Sequence, residues 1–244
     1  MPRITLEHQH PALPQLAEQG AMLAQESIPE FNDRHRESKI FSLNFAANPP
    51  QIVFEGIGKR YVVQFLGSFS GIDNTWMWGW NNINQYPDAA IEIANNLRKF
   101  GEMANVPELT TPVLPIASEV DIHRLLFAAI RITGRPAFHR ASTEHGHVYY
   151  LLHDYEMLPP GVAAVQRAIM DAIHGGWIVN HPVSLDAYLE MRPLTATDTE
   201  KGKIIHCADG DLELEFDDHQ RIATVRFQVN EQTADGLRGG QTEN

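Results

Sequence analysis

The sequence predicts an α+β fold: an antiparallel meander with helices packed on one face, extended at its C-terminal end by a β-hairpin. Three observations carry this. Between Phe41 and Trp80 apolar and polar residues alternate in short runs separated by turn residues, as strands half-buried on a core require. Downstream, apolar residues recur every three or four positions over 87–100, 118–133 and 160–173, the period of amphipathic helices. Near the C-terminal end, Leu212, Leu214 and Phe216 alternate with Glu213 and Glu215, and Asp217-Asp218 then turns the chain into Arg221–Val229.

In order along the chain, residues 11–26 read as an amphipathic helix with Leu13, Leu16, Ala17 and Leu23 on one side, and the polar stretch 32–39 as a connector. Phe41, Leu43 and Phe45 mark a first strand; Asn48-Pro49-Pro50 breaks it; 51–55 is a second; Gly56-Ile57-Gly58 turns the chain into a third over 61–68. The fourth is Thr75-Trp76-Met77-Trp78-Gly79-Trp80-Asn81-Asn82. In a strand Trp76, Trp78 and Trp80 share one face, a stripe of indoles too large to leave in water, and the reading is a core motif with a ligand platform as the rarer use. Pro87 suits a helix first turn and Gly101 a stop. Ser118 with Asp121 is a capping signal ahead of Ile122, Leu125, Leu126, Ala129 and Ile130, which Gly134-Arg135-Pro136 ends. Residues 137–140 and 147–153 read as paired strands, 160–173 as a helix stopped by Gly175-Gly176, and the tail 230–244 as disordered. The units are thus 1–37 as an N-terminal helix and connector, 38–155 as the α+β core, and 156–229 as its helical and hairpin extension.

A chain of 244 residues with 43% hydrophobic content supplies a sizeable core. Its single cysteine, Cys207, precludes an internal disulfide and a cysteine-rich zinc site, and reads as a buried structural thiol in a reducing cytoplasm. No apolar export signal or membrane-length stretch is evident, so cytoplasmic localisation is expected. The net charge of −12 opposes binding to nucleic acid or anionic lipid and favours a basic partner. Half of it lies between Asp198 and Asp218, where eight acids face Lys201 and Lys203.

Gly67-Ser68-Phe69-Ser70, the tryptophan run, Glu108-Leu109-Thr110-Thr111-Pro112 and Tyr149-Tyr150-Leu151-Leu152 together resemble an uncharacterised bacterial family with a Thr-Trp-x-Trp-x-Trp-x-Asn signature, over about residues 38–153. Asn82 occupies the signature Asn, and Asn81 is additional. The resemblance brings no catalytic residues. The chain also looks like an immunity protein of a bacterial toxin system, which implies a type VI secreted nuclease effector as partner.

Catalytic and metal motifs are tested and set aside. His139, His145, His147 and His153 fall in or beside one hairpin, but Glu144-His145-Gly146-His147 lacks the helical HExxH spacing that converges two imidazoles on zinc. Asp209, Asp211 and Glu213 suggest a calcium loop, yet Leu214 stands where its glycine belongs and Gln220 where its final glutamate belongs. Phe69 replaces the serine of a nucleophile elbow at Gly67–Gly71, and Gly56-Ile57-Gly58-Lys59 is too short for a phosphate loop. No cofactor, catalytic residue or metal ligand is assigned. Two functions follow. The first is a binding module, an immunity (antitoxin) protein that meets a basic effector through Glu213, Glu215, Asp217 and Asp218. The alternative is a hydrolase using His147 or His153 with Asp154 or Glu156.

Overall fold

The computed structural model describes residues 11–38 and 40–229, so the 230–244 tail lies outside the described residues. The order of elements is α1 (Leu13–His35), β1 (Phe41–Asn44), β2 (Gln51–Phe54), β3 (Lys59–Ser70), β4 (Thr75–Trp78), a 3-10 turn (Gly79–Asn81), α2 (Asp88–Ala104), α3 (Pro107–Thr110), β5 (Val113–Pro115) and α4 (Glu119–Thr133). There follow β6 (Phe138–Thr143), β7 (Gly146–Leu152), α5 (Val162–His174), α6 (His181–Met191), β8 (Thr195–Asp198), β9 (Gly202–Cys207), β10 (Gly210–Phe216) and β11 (Ile222–Val229). The fold is α+β.

β3 organises the first sheet because its twelve residues serve three partners. Residues 59–62 pair with β2, residues 67–70 pair with β4, and most of 63–70 pair with β7, all antiparallel. The meander β1-β2-β3-β4-β5 is thereby joined by the β6–β7 hairpin into seven strands. A register shift between Phe65 and Gly67 bends the strand.

α1 differs from its sequence reading. It runs on to His35, through Pro29 and the first half of the stretch read as a connector, because Phe31 and His35, one turn apart, both bury. It packs against α4, α5 and α6. The α4 start is as its capping signal predicts, with the Asp121 carboxylate accepting from the backbone N–H groups of Ala117 and Ser118 at 3.0 and 3.1 Å. The C-terminal hairpin is half of a second, four-stranded antiparallel sheet of order β11-β10-β9-β8; α6, β8 and β9 are not anticipated by the sequence pattern. Leu212, Leu214 and Ile205 on its inner face join the same core as α1, α4 and the first two tryptophans.

The tryptophan stripe is corrected at its end. Trp76 and Trp78 are fully buried and meet edge to face with ring centres 5.3 Å apart. The strand then stops: Gly79 opens the 3-10 turn, and Trp80 lies partly buried under the Arg98 guanidinium, 4.7 Å from its ring centre. A β-carbon on Gly79 would sit 2.5 Å from the Phe65 carbonyl oxygen, so the turn's close approach to β3 requires glycine. Gly67 has a similar reason. A β-carbon there would fall 2.6 Å from the Trp76 indole, which lies across β3. The Gly-Ser and tryptophan motifs are one packing solution.

A second apolar cluster, which includes Phe65 and Tyr150, fills the curl of the sheet, where Phe31, Phe54, Tyr61 and Tyr155 surround two imidazoles. His35 is placed by both ring nitrogens: Nδ1 is 2.7 Å from the Phe31 carbonyl oxygen and Nε2 is 3.0 Å from the Tyr61 hydroxyl. His139 stands edge-on to Phe41 and Phe54, and its buried Nε2 has no hydrogen-bond partner. Burial, with a smaller contribution from His35, pushes the His139 imidazole down to about 4.

Two predictions follow from this packing. Trp78→Ala should cost about 3–5 kcal/mol and Trp80→Ala about 1, since only the first empties a closed core site; urea unfolding of the two variants compares them, and equal losses would contradict the burial difference. His139 has a folded pKa below its unfolded value of 6.5, so between 6.5 and about 4 the unfolded chain binds more protons and stability falls as pH falls. That loss approaches about 1.4 kcal/mol per pH unit from His139 alone. His139→Phe should therefore flatten the decline in unfolding midpoint between pH 7 and pH 4.5, leaving the part due to His35, whose imidazole burial also lowers. An identical acid limb in the variant would show that His139 is solvated.

Candidate functional site

The β10 strand separates charge from core. Leu212 and Leu214 are fully buried, whereas Glu213 and Glu215 stand on the opposite, solvent-facing side with Asp211. The register of β10 with β11 sets Arg226 opposite Glu213, and its guanidinium reaches Glu215 at 2.9 Å and Glu213 at 3.7 Å. Asp211 accepts from or contacts His206 Nδ1 at 2.9 Å, and the other ring nitrogen lies 2.9 Å from Thr197 Oγ1. The outer face is therefore acidic but partly compensated by arginine.

Asp217 has a local task. Its carboxylate accepts from the backbone N–H groups of His219 and Arg221, each at 2.9 Å, and from the Arg221 side chain at 2.7 and 2.9 Å. The Arg221 side-chain hydrogen bond, aided by these backbone donors, holds its carboxyl down at about 2. Asp217 builds the β10–β11 turn. Asp218 has no ion pair among the described residues, and β11 is one of the sheet's two edge strands, with Phe227 and Val229 exposed on it.

The four histidines do not converge. His145 is exposed beside Glu144 at 3.8 Å. His147 stacks on Phe69 with ring centres 6.5 Å apart. His139 lies in the aromatic cluster and lines a cavity of about 380 Å³ shared with Glu119, Arg140 and Tyr149. His153 Nε2 is 3.0 Å from Arg135 Nη2. Among the described residues no group of three His, Cys, Asp or Glu side chains is arranged to hold a metal. Nor does a histidine meet the acids of the hydrolase reading. Asp154 accepts from the Val62 N–H at 2.8 Å, and Glu156 offers its carbonyl to Arg34. Cys207 is half-buried, its thiol pushed up to about 11 by burial, with smaller contributions from Asp209, Asp211 and Glu26.

One feature escaped sequence reasoning: a cleft of about 830 Å³ between α2, the C-terminal end of α4, the end of β7 and the end of α6. Its residues are spread from Gln64 to Met191, so no local motif signals it. The helical repeat of Ile93, Asn96, Lys99, Phe100 and Met103 along α2 is its one sequence trace.

No helix among the described residues is long and apolar enough to cross a membrane. No curated protein and no solved structure matches the chain. A family of unknown function (DUF6882) matches residues 14–155, starting well before the 38–153 stretch that the motifs mark and so including α1. That match spans more than half of the chain, which belongs to this family.

Proposed function

We propose that this protein is a binding module that meets a basic protein partner through the outer face and edge of the β8–β11 sheet. The observation that carries the reading is the division of β10: Leu212 and Leu214 close the core while Asp211, Glu213 and Glu215 face solvent on the same strand. The negative net charge of the chain supports it, because long-range attraction raises the encounter rate with a basic protein. The edge strand β11 supports it further, since its exposed Phe227 and Val229, on the sheet face opposite the acids, supply apolar contact along the same edge. A nuclease must be basic where it grips phosphate, so an immunity protein that neutralises a secreted bacterial nuclease in the cytoplasm, as in type VI secretion, is the specific form of the proposal. The hydrolase alternative finds no histidine–acid pair among His147, His153, Asp154 and Glu156 in the described residues, where His153 faces an arginine.

The test leaves Asp217 untouched, since its changes would disturb the turn. Asp211→Asn, Glu213→Gln, Glu215→Gln and Asp218→Asn together should leave the melting temperature within about 2–4 °C, the shift of a sub-kilocalorie change. They should slow association with a basic bacterial nuclease effector about tenfold at low salt, and the difference should shrink at 0.5 M salt. Surface plasmon resonance at two ionic strengths reads both. Equal on-rates and equal salt dependence would remove the acidic face from the contact.

A further inference from the structure

We propose that the cleft between α2, α4, β7 and α6 is a binding site for a small organic anion, a carboxylate or phosphate group carried on an apolar body. It is distinct from the acidic face and does not depend on the protein-binding reading.

The argument begins with Arg135. It follows the Gly134 cap of α4, and its Nη2 lies 3.0 Å from His153 Nε2. A guanidinium only donates, so Nε2 must accept and the imidazole carries its proton on Nδ1. That Nδ1–H is buried without a hydrogen-bond partner. The pair thus presents a guanidinium held in place by an imidazole and no acid to neutralise it: among the described residues neither Arg135 nor Lys99, the other cation on the cleft wall, forms an ion pair.

Two acids line the same cleft, but they differ in commitment. Glu190 is bound by Arg131 at 3.0 Å, so its charge is already answered; Glu92 is exposed on α2 and, like Lys99, has no ion pair among the described residues, so the positioned cation of the cleft is Arg135. The apolar part of the wall comes from Ile93, Phe100, Ile132 and Met191. Fixed donors on an apolar wall, in a space within the roughly 300–1,000 Å³ of ordinary ligand pockets, match an amphipathic anion. Lys99, Arg135 and His153 all fall within the stretch that the family match covers.

The full chain, isotopically labelled, is titrated with benzoate, phenyl phosphate and, as a cationic control of the same body, benzylamine, following the His153 imidazole and Arg135 guanidinium resonances by NMR. The expected result is saturable movement of both side-chain signals with benzoate or phenyl phosphate and none with benzylamine; the tighter of the two anions assigns the head group. Arg135→Gln should weaken the anion about tenfold and Lys99→Ala about three- to tenfold, the loss of one charge-assisted contact each. Lys99 is exposed, so that variant keeps its fold and tests the site even if Arg135→Gln unfolds. No saturation of either anion by about 10 mM, the weak edge of ligand binding, overturns the proposal. So does equal or tighter binding of benzylamine, or anion binding unchanged in Lys99→Ala and in any folded Arg135→Gln.

Discussion

The buried carboxylate of Glu26 is the interaction on which the arrangement of the two sheets depends. It sits in the middle of α1, 1% exposed, and accepts from the Tyr188 hydroxyl at 2.7 Å and from Arg192 Nε and Nη2, each at 2.9 Å. Arg192 also donates to the Leu158 carbonyl, so one guanidinium ties α1, the end of α6 and the segment before α5. Burial and the nearby Glu26 charge keep the Tyr188 hydroxyl protonated as the donor. A buried ion pair adds little net stability over a hydrophobic substitute, yet losing one partner leaves an unanswered charge worth about 3–5 kcal/mol. Its contribution is therefore to placement: only one docking of α6 on α1 answers the carboxylate. Glu18 and Glu30 act alike along the same helix. Glu18 accepts from the N–H groups of Val179 and Asn180 at the start of α6, and Glu30 from the Tyr155 hydroxyl and the Leu158 N–H.

This use of polar groups explains what the sequence pattern revealed and what it hid. Strands β1–β4 and the α4 helix were legible because their signals are local: alternation, a turn glycine, a capping pair. The second half of α1 was not, because Pro29 and the polar residues after it argue for a break, while burial of Phe31 and His35 among aromatic rings overrides them. α6 was missed for the opposite reason. Its buried face mixes the polar His181 and Ser184 with Leu185, Ala187, Tyr188 and Leu189, and its exposed face sets Val183 beside Asp186 and Glu190, so it has no clean apolar stripe to read. β8 is wholly exposed and has no alternation either. The third tryptophan departs from its stripe because Gly79 ends the strand two residues early, a choice set by the carbonyl of Phe65 across the sheet.

The functional surfaces divide by the same criterion. A run of acids is visible in sequence, but its compensation is not: Arg226 meets Glu213 and Glu215 only because the β10–β11 register sets them opposite, and Asp217 proves to be a turn residue. The cleft is invisible in sequence for a deeper reason. Arg135 and His153 are eighteen residues apart and come together because the α4 helix and the β7 strand end side by side.

The two surfaces are nevertheless parts of one body. The cleft's far wall, Glu190 and Met191, belongs to α6, and Asp186 on the same helix reaches Lys203 of β9 at 3.5 Å. Inner residues Ile205, Leu212 and Leu214 share a core with Leu16, Trp76 and Leu126. The β8–β11 sheet consequently has no core of its own to fold around; it is completed by α1 and α6. A family domain that ended at residue 155 would expose the α1 face that now binds Glu26 to Arg192, and a glutamate on that face would be solvated instead of placed. The C-terminal segment thus supplies both an acidic surface and the closure of the family domain beneath it, and the shared helix α6 is what makes those two roles inseparable.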